Sequence, residues 1–299
     1  MASLLAALGL LLNALAWGVS WWPFRQLEAL GVHPLWATAL IYLVATAVLL
    51  VFRPGTLRAF RRFPGMWVLL VAAGLTNVGF NWAVTVGDVV RVVLLFYLMP
   101  AWVVLLAWPV LGERPTAGSL ARLGLALAGV VIVLKTENSP WPWPASLPDY
   151  LALMGGFFFA LTNVMLRKLS AAPAAAGMLA MFSGGALMAS LAAIWGLYSG
   201  LVSPLPVASG AWLSWVGGLS LVFLVANYGL QYGASRLSAN TGSLIMLSEV
   251  LFASGSAVWL GAGVLTTQIM GGGSLIVMAS LLSVWAHGRP SSSSSFPGT

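Results

Sequence analysis

Long apolar runs, broken at short intervals by turn-forming or charged residues, dominate the chain. Ten of them approach or exceed the roughly 20 apolar residues a helix needs to cross a bilayer. They cover 3–24, 34–52, 65–86, 90–111, 117–135, 149–168, 174–199, 211–232, 240–260 and 266–286. The breaks hold helix-stopping residues, as in Arg53-Pro54-Gly55, Gly87-Asp88 and Gly112-Glu113-Arg114-Pro115. No ten-residue stretch alternates apolar and polar, so the pattern predicts helices and not an outer-membrane barrel. The first run has no charged leader and no clear cleavage site, so it is read as a true helix. From Gly288 onward, with Ser291 to Ser295, the composition is that of a disordered tail.

Composition sharpens this reading. The 299 residues are 60% hydrophobic and 6% charged, whereas soluble domains run near a quarter charged, so lipid is the expected solvent. The net charge of +7 does not imply nucleic acid, because the basic residues are spread between apolar runs and form no single patch. With the N-terminus inside, the inner loops receive Arg53, Arg58, Arg61, Arg62, Arg114, Arg122, Arg167, Lys168, Arg236 and Arg289. The outer side keeps Arg25, Arg91 and Lys135, with the acids Glu28, Asp88, Glu137 and Asp149. The positive-inside rule then predicts cytoplasmic termini.

An internal repeat organises the runs. A shift of about 150 residues, the offset between the matched positions, lays Asn77, Asn81 and Thr85 on Asn227, Gln231 and Ser235. One residue of slip later, Leu111-Gly112 falls on Leu260-Gly261 and Gly124 on Gly273. The midpoint is the Pro-rich stretch Pro140-Trp141-Pro142-Trp143-Pro144. The pattern therefore predicts halves at 1–138 and 139–287, followed by the tail 288–299. Five spans per half is an odd number, so the halves insert in opposite senses. The expected fold is an all-α integral membrane protein, with ten transmembrane helices as two inverted five-helix repeats around a central cavity.

Particular residues suggest a family. The opening Asn13-Ala14-Leu15-Ala16-Trp17-Gly18 resembles the first helix of the drug/metabolite transporter superfamily, EamA type. So does Met99-Pro100-Ala101, followed by Leu111-Gly112-Glu113-Arg114-Pro115-Thr116 and Gly124. The resemblance runs to about residue 286, and the tryptophan-rich helices are most similar to bacterial exporters of aromatic amino acids. It implies ten helices in a basket, a central cavity, export from the cytoplasm and a bacterial inner (plasma) membrane location. The second half departs from the pattern. Family members often carry proline near Glu249, and Gly261-Ala262-Gly263 stands where the first half has Gly112-Glu113-Arg114.

Polar groups inside a bilayer need a partner or a purpose. Asn77, Asn81 and Thr85 follow i, i+4, i+8 and share one helix face, as do Asn227, Gln231 and Ser235. Amides offer donors and acceptors together, so these sets suit a zwitterion's carboxylate and ammonium. Interhelical cross-linking is the alternative use. Trp17 and Trp21 lie four apart on the face of Asn13, near Ser20. Tyr97 and Trp102 flank Pro100, whose missing donor predicts a kink. These four aromatics are candidates for a ring pocket, with core packing as the alternative. Trp22, Trp67, Trp141, Trp143, Trp212 and Trp285 read as interface belts. Gly124, Ala128 and Gly271 to Ser274 offer small surfaces for close helix packing, and Gly184-Gly185 and Gly217-Gly218 possible bends.

Glu249 is the only acid expected inside a span. It is a candidate for proton coupling, or else a structural carboxyl bonded to Ser248 or a facing amide. Nothing points to an enzyme. The two histidines, His33 and His287, sit at span ends, no GxSxG or Walker pattern occurs, and the chain has no cysteine. No metal and no cofactor is expected. The partners are a small-molecule substrate and the lipid bilayer, and no pattern fixes an oligomeric state. Phosphorylated sugars would require cavity Lys or Arg, whereas every basic residue here sits in a loop or near a span end. The sequence thus points to an exporter of aromatic and other hydrophobic amino acids working by alternating access. Its rival is a proton-coupled exporter of hydrophobic cations, with Glu249 as counter-charge.

Overall fold

A computed structural model describes residues 2–134, 144–234, 236–237, 245–246 and 248–287. Among the described residues every regular element is a helix. These are α1 (Ala2–Val19), α2 (Trp21–Ala29), α3 (Pro34–Phe52), α4 (Arg58–Arg62), α5 (Gly65–Val86), α6 (Val89–Phe96), α7 (Met99–Leu111), α8 (Ala117–Leu134), α9 (Leu147–Lys168), α10 (Ala174–Tyr198), α11 (Gly210–Ala234), α12 (Ser248–Trp259) and α13 (Thr267–His287). A 3-10 turn, Pro54–Leu57, precedes α4.

Two apolar runs fold as broken helices. The first continues to Ala29, beyond the expected limit at 24, because α1 and α2 form one span with a joint at Ser20. Pro23 explains the joint, since it has no N–H to offer the Val19 carbonyl one turn back. The fourth run breaks at Tyr97 and Leu98, where Pro100 leaves the Phe96 carbonyl without its helical donor. That carbonyl faces Gly156 of α9, where an added Cβ would lie 2.6 Å from the oxygen.

Among the described residues, seven helical segments are long and apolar enough to span a membrane. They are Leu4–Ala29, Pro34–Phe52, Gly65–Val86, Val89–Leu111, Leu147–Lys168, Ala174–Tyr198 and Gly210–Gly233. The helices of the fifth, ninth and tenth runs are shorter over their described apolar parts: Ala117–Val133, Ser248–Trp259 and Thr267–Ala279. Residues 240–244 of the ninth run, the Pro140–Trp143 stretch, Ser235 and the tail 288–299 lie outside the described residues.

Most of the extensive helix pairings join an early helix to a late one. α5 lies against α9 and α10, α3 against α10 and α11, α1 against α11 and α12, α7 against α9, and α8 against α13. Backbones meet where both helices lack side chains. A Cβ on Gly9 would fall 2.6 Å from the Gly229 carbonyl oxygen, and one on Gly79 would fall 3.0 Å from the Gly155 Cα. Gly129 and Gly272 meet in the same way between α8 and α13. Such approaches allow dense packing and Cα–H···O contacts that a side chain would abolish. Gly124, Gly271, Gly217 and Gly218, singled out in the sequence, have open space where a Cβ would stand. Gly184 and Gly185 lie inside one unbroken α10, packed on Leu70 and on the Tyr42 ring. Trp212 is buried in an apolar cluster with Phe24 and Phe223 and donates its indole N–H to the Val207 carbonyl.

The two ends of the bundle differ. One carries Arg25, Asp88, Arg91 and Asp149 and is tied by polar contacts. Arg91 grips Asp149 in a fork of 2.7 and 3.0 Å and also donates to the Val133 carbonyl at 2.8 Å. Asp88 accepts from Val264 N–H, Arg25 donates to the Gly87 carbonyl, and Gln268 donates to the Ile132 carbonyl. The opposite end carries Arg53, Arg58, Arg61, Arg62 and the exposed Arg167–Glu113 pair.

Candidate functional site

The polar residues of α5 meet α3. Thr38, Tyr42 and Thr46 form a buried i, i+4, i+8 stripe on α3. The Tyr42 hydroxyl donates to Asn77 Oδ1 at 2.5 Å, and Asn77 Nδ2 donates to the Ala73 carbonyl of its own helix. Asn81 Nδ2 donates to Thr38 Oγ1 at 3.2 Å, while Thr85 returns its hydroxyl proton to the Asn81 carbonyl. The Tyr42 hydroxyl also lies beside Asn81, but its proton goes to Asn77. Asn81 Oδ1, fully buried, is left without a donor. Much of this polar ladder therefore cross-links helices.

Around Tyr42 the rings converge. Its ring lies 5.8 Å from Phe182 of α10 and 5.9 Å from Phe223 of α11. Trp17 of α1 stacks on Phe223 at 4.6 Å and 14°. Asn227, one turn beyond Phe223, is buried and donates to its carbonyl at 2.9 Å. Gln231 is half-buried one turn further along α11. Helices α1, α3, α5, α10 and α11 thus bring Trp17, Tyr42, Phe182, Phe223, Asn77 and Asn81 to one centre, whose side chains include no charge.

The other candidates separate from this centre. Past the Ser20 joint, Trp21 turns to α12 and donates its indole N–H to Ser256 Oγ at 3.0 Å. Tyr97, at the α6–α7 break, lies beside the Glu249 carboxyl. Ser248 does not serve Glu249 as a donor; its hydroxyl goes to the Ile245 carbonyl. Trp102 faces away, edge-on to Phe157 of α9 at 5.5 Å, with its buried indole N–H unpartnered. Asn13 Nδ2 and Thr162 Oγ1 are also buried without partners.

Sequence reasoning missed Thr38, Tyr42, Phe182 and Phe223. The Thr38-Tyr42-Thr46 stripe was a usable signal, because three hydroxyls on one face of an apolar helix need acceptors. Nothing local marked the two phenylalanines. His33, in the turn before α3, accepts from Leu35 N–H through Nδ1, and burial beside Trp82 lowers its pKa below the ordinary value. Among the described residues no three His, Cys, Asp or Glu stand close enough to hold a metal ion.

Comparison with known proteins bears on the first half directly. Residues 4–135 match the EamA-like transporter family, and this match, with the apolar helices, supports a multi-pass membrane transporter. No curated protein matches the chain. A crystal structure of a protein 19% identical to this one superposes with a TM-score of 0.58, over 94% of this chain and 96% of that one. At that identity the likeness is one of fold.

Proposed function

We propose that the whole chain is an EamA-like transporter, exporting aromatic and other hydrophobic amino acids by alternating access. The observation that carries this reading is the uncharged aromatic centre around Tyr42, bordered by amides. Trp17, Phe182 and Phe223 offer ring surface, and Asn81 Oδ1 is a buried acceptor awaiting a donor such as an ammonium group. Asn77, Asn227 and Gln231 complete the polar border; Trp21, Tyr97 and Trp102 lie apart from this centre and remain further candidates for the ring pocket.

The packing supports two inverted halves, 1–138 and 139–287. Exchanging the halves turns the α5–α9 pairing into α11–α1, α5–α10 into α11–α3, and α7–α9 into α12–α1, all of which occur. At the 150-residue shift Gly79 falls on Gly229, and each crosses a glycine of the other half's first helix, Gly155 and Gly9. Ten helices follow if the shorter α8, α12 and α13 also cross. The arginine-rich end then faces the cytoplasm, with both termini, in a bacterial inner membrane.

A second reading rests on Tyr97 and Glu249. A carboxyl beside a tyrosine at a helix break suits proton-coupled export of hydrophobic cations. One experiment separates the two. Proteoliposomes are assayed for uptake of labelled tryptophan, phenylalanine, methionine and a quaternary ammonium dye, with and without a proton gradient. Saturable amino-acid uptake is expected. Gradient-driven dye movement without amino-acid uptake would replace the first reading with the second.

A further inference from the structure

At the arginine-rich end, the segment between α3 and α5 packs beside the α9–α10 turn and leaves an open-sided cavity of about 490 Å³. Arg53, Arg58 and Arg62 line it around an apolar wall of Phe63, Ala171 and Pro173. Among the described residues none of these three arginines pairs with a carboxylate. Glu113 is the described acid at this end, and Arg167 holds it at 2.6 and 3.3 Å. Glu28, Asp88 and Asp149 lie at the opposite end, and Glu249 faces Tyr97.

Three cations sharing one cavity repel each other unless an anion enters. A positive-inside loop calls for basic residues, but it does not require three of them to surround a common space. The first turn of the 25-residue α10 borders the same space and adds partial positive charge. The surroundings fit a lipid. Val51 and Phe52, immediately before Arg53, are 75% and 76% exposed, and Trp67 stands exposed against Phe60. An acyl chain has an apolar surface to follow away from the cavity.

We propose that this cavity binds a phosphate group, supplied by the headgroup of an anionic phospholipid. Planar guanidinium forks match phosphate oxygens, and basic pockets at a membrane boundary recognise anionic headgroups. The site is separate from the transport centre, and its test needs no transport.

The full-length protein in a neutral detergent is titrated at low ionic strength with phosphatidylglycerol, phosphatidylcholine or inorganic phosphate, and its melting is followed by tryptophan fluorescence. Phosphatidylglycerol is expected to raise the melting temperature saturably, with no response to the other two. R53Q/R58Q/R62Q should weaken the apparent phosphatidylglycerol affinity about a hundredfold, and R58Q alone about fivefold. R61Q, whose side chain does not line the cavity, should leave it nearly unchanged. A response to inorganic phosphate equal to that of the lipid would support the phosphate site but assign it to the free anion. Equal responses to the two lipids, or R61Q weakening binding as much as R58Q, would overturn the proposal.

Discussion

Tyr42 of α3 donates its hydroxyl proton to Asn77 Oδ1 of α5, 35 residues along the chain and within the buried centre. The bond sets the Tyr42 ring between Phe182 and Phe223 and leaves Asn81 Oδ1 open. One hydroxyl thereby decides which of two neighbouring amides has its oxygen satisfied and which keeps it unpartnered.

Tyr42→Phe should lower stability by about 1–2 kcal/mol, because it deprives the buried Asn77 oxygen of its donor. Thermal melting in detergent measures this. Adding Asn77→Leu should restore part of the loss, since no acceptor is then left unsatisfied. A double variant as weak as the sum of the singles would show that the two residues are not coupled.

Substrate affinity should depend unequally on the amides. Asn81→Ala is expected to weaken tryptophan binding about tenfold, as loss of one charge-assisted hydrogen bond does. Gln231→Ala should have a smaller effect in the same direction. Isothermal titration with folded protein checks both, and unchanged affinity in Asn81→Ala would remove it from the site.

Helix crossings give a sharp contrast. Gly79→Leu and Gly229→Leu place side-chain atoms where the partner backbone stands within 3.0 Å and should abolish folded protein. Gly124→Ala and Gly217→Ala meet nothing within 4 Å and should be neutral or slightly stabilising. Yield and monodispersity on size exclusion distinguish the two pairs.

Asp149→Asn strips Arg91 of its counter-charge where α6, α8 and α9 meet. The carboxyl is 2% exposed and the guanidinium 20%, so a loss of about 2 kcal/mol is expected, between exposed and fully buried pairs. Melting should be sensitive to this change and nearly insensitive to Glu113→Gln, whose pair with Arg167 is about half exposed on both sides.

His33 should make stability fall in mild acid. Burial depresses its folded-state pKa, so below about pH 6.5 the unfolded chain binds more protons than the folded one. Its contribution is therefore present above that pH and is lost as pH drops toward the folded value, where the protonated Nδ1 no longer accepts from Leu35 N–H. His33→Asn keeps a capping oxygen and should flatten the melting-temperature profile between pH 5 and about 7.

The apolar runs fixed the helices at 34–52, 65–86 and 174–198 to within a residue or two, because helix formation and lipid exposure depend on local sequence. The joint at Ser20 is equally local, because Pro23 has no N–H to offer the Val19 carbonyl. The Pro100 break was read correctly. The asymmetry of charge between the two ends was also legible, since loops of this length keep their residues on one side.

Contacts between distant helices were not legible. Trp17 and Trp21 share a face in an ideal helix, but the Ser20 joint sends one to Phe223 and the other to Ser256, 235 residues away. Asn77 and Asn81 were visible as rare amides, but their periodicity holds no information about Tyr42 or Thr38. Glu249 stood out as an isolated acid; only packing brought Tyr97 to it. Sequence alone determined which segments are helical, because that follows from the solvent each residue prefers. Tertiary structure decided which polar groups are satisfied and which remain open, because a hydrogen bond needs two partners and the chain places them on different helices.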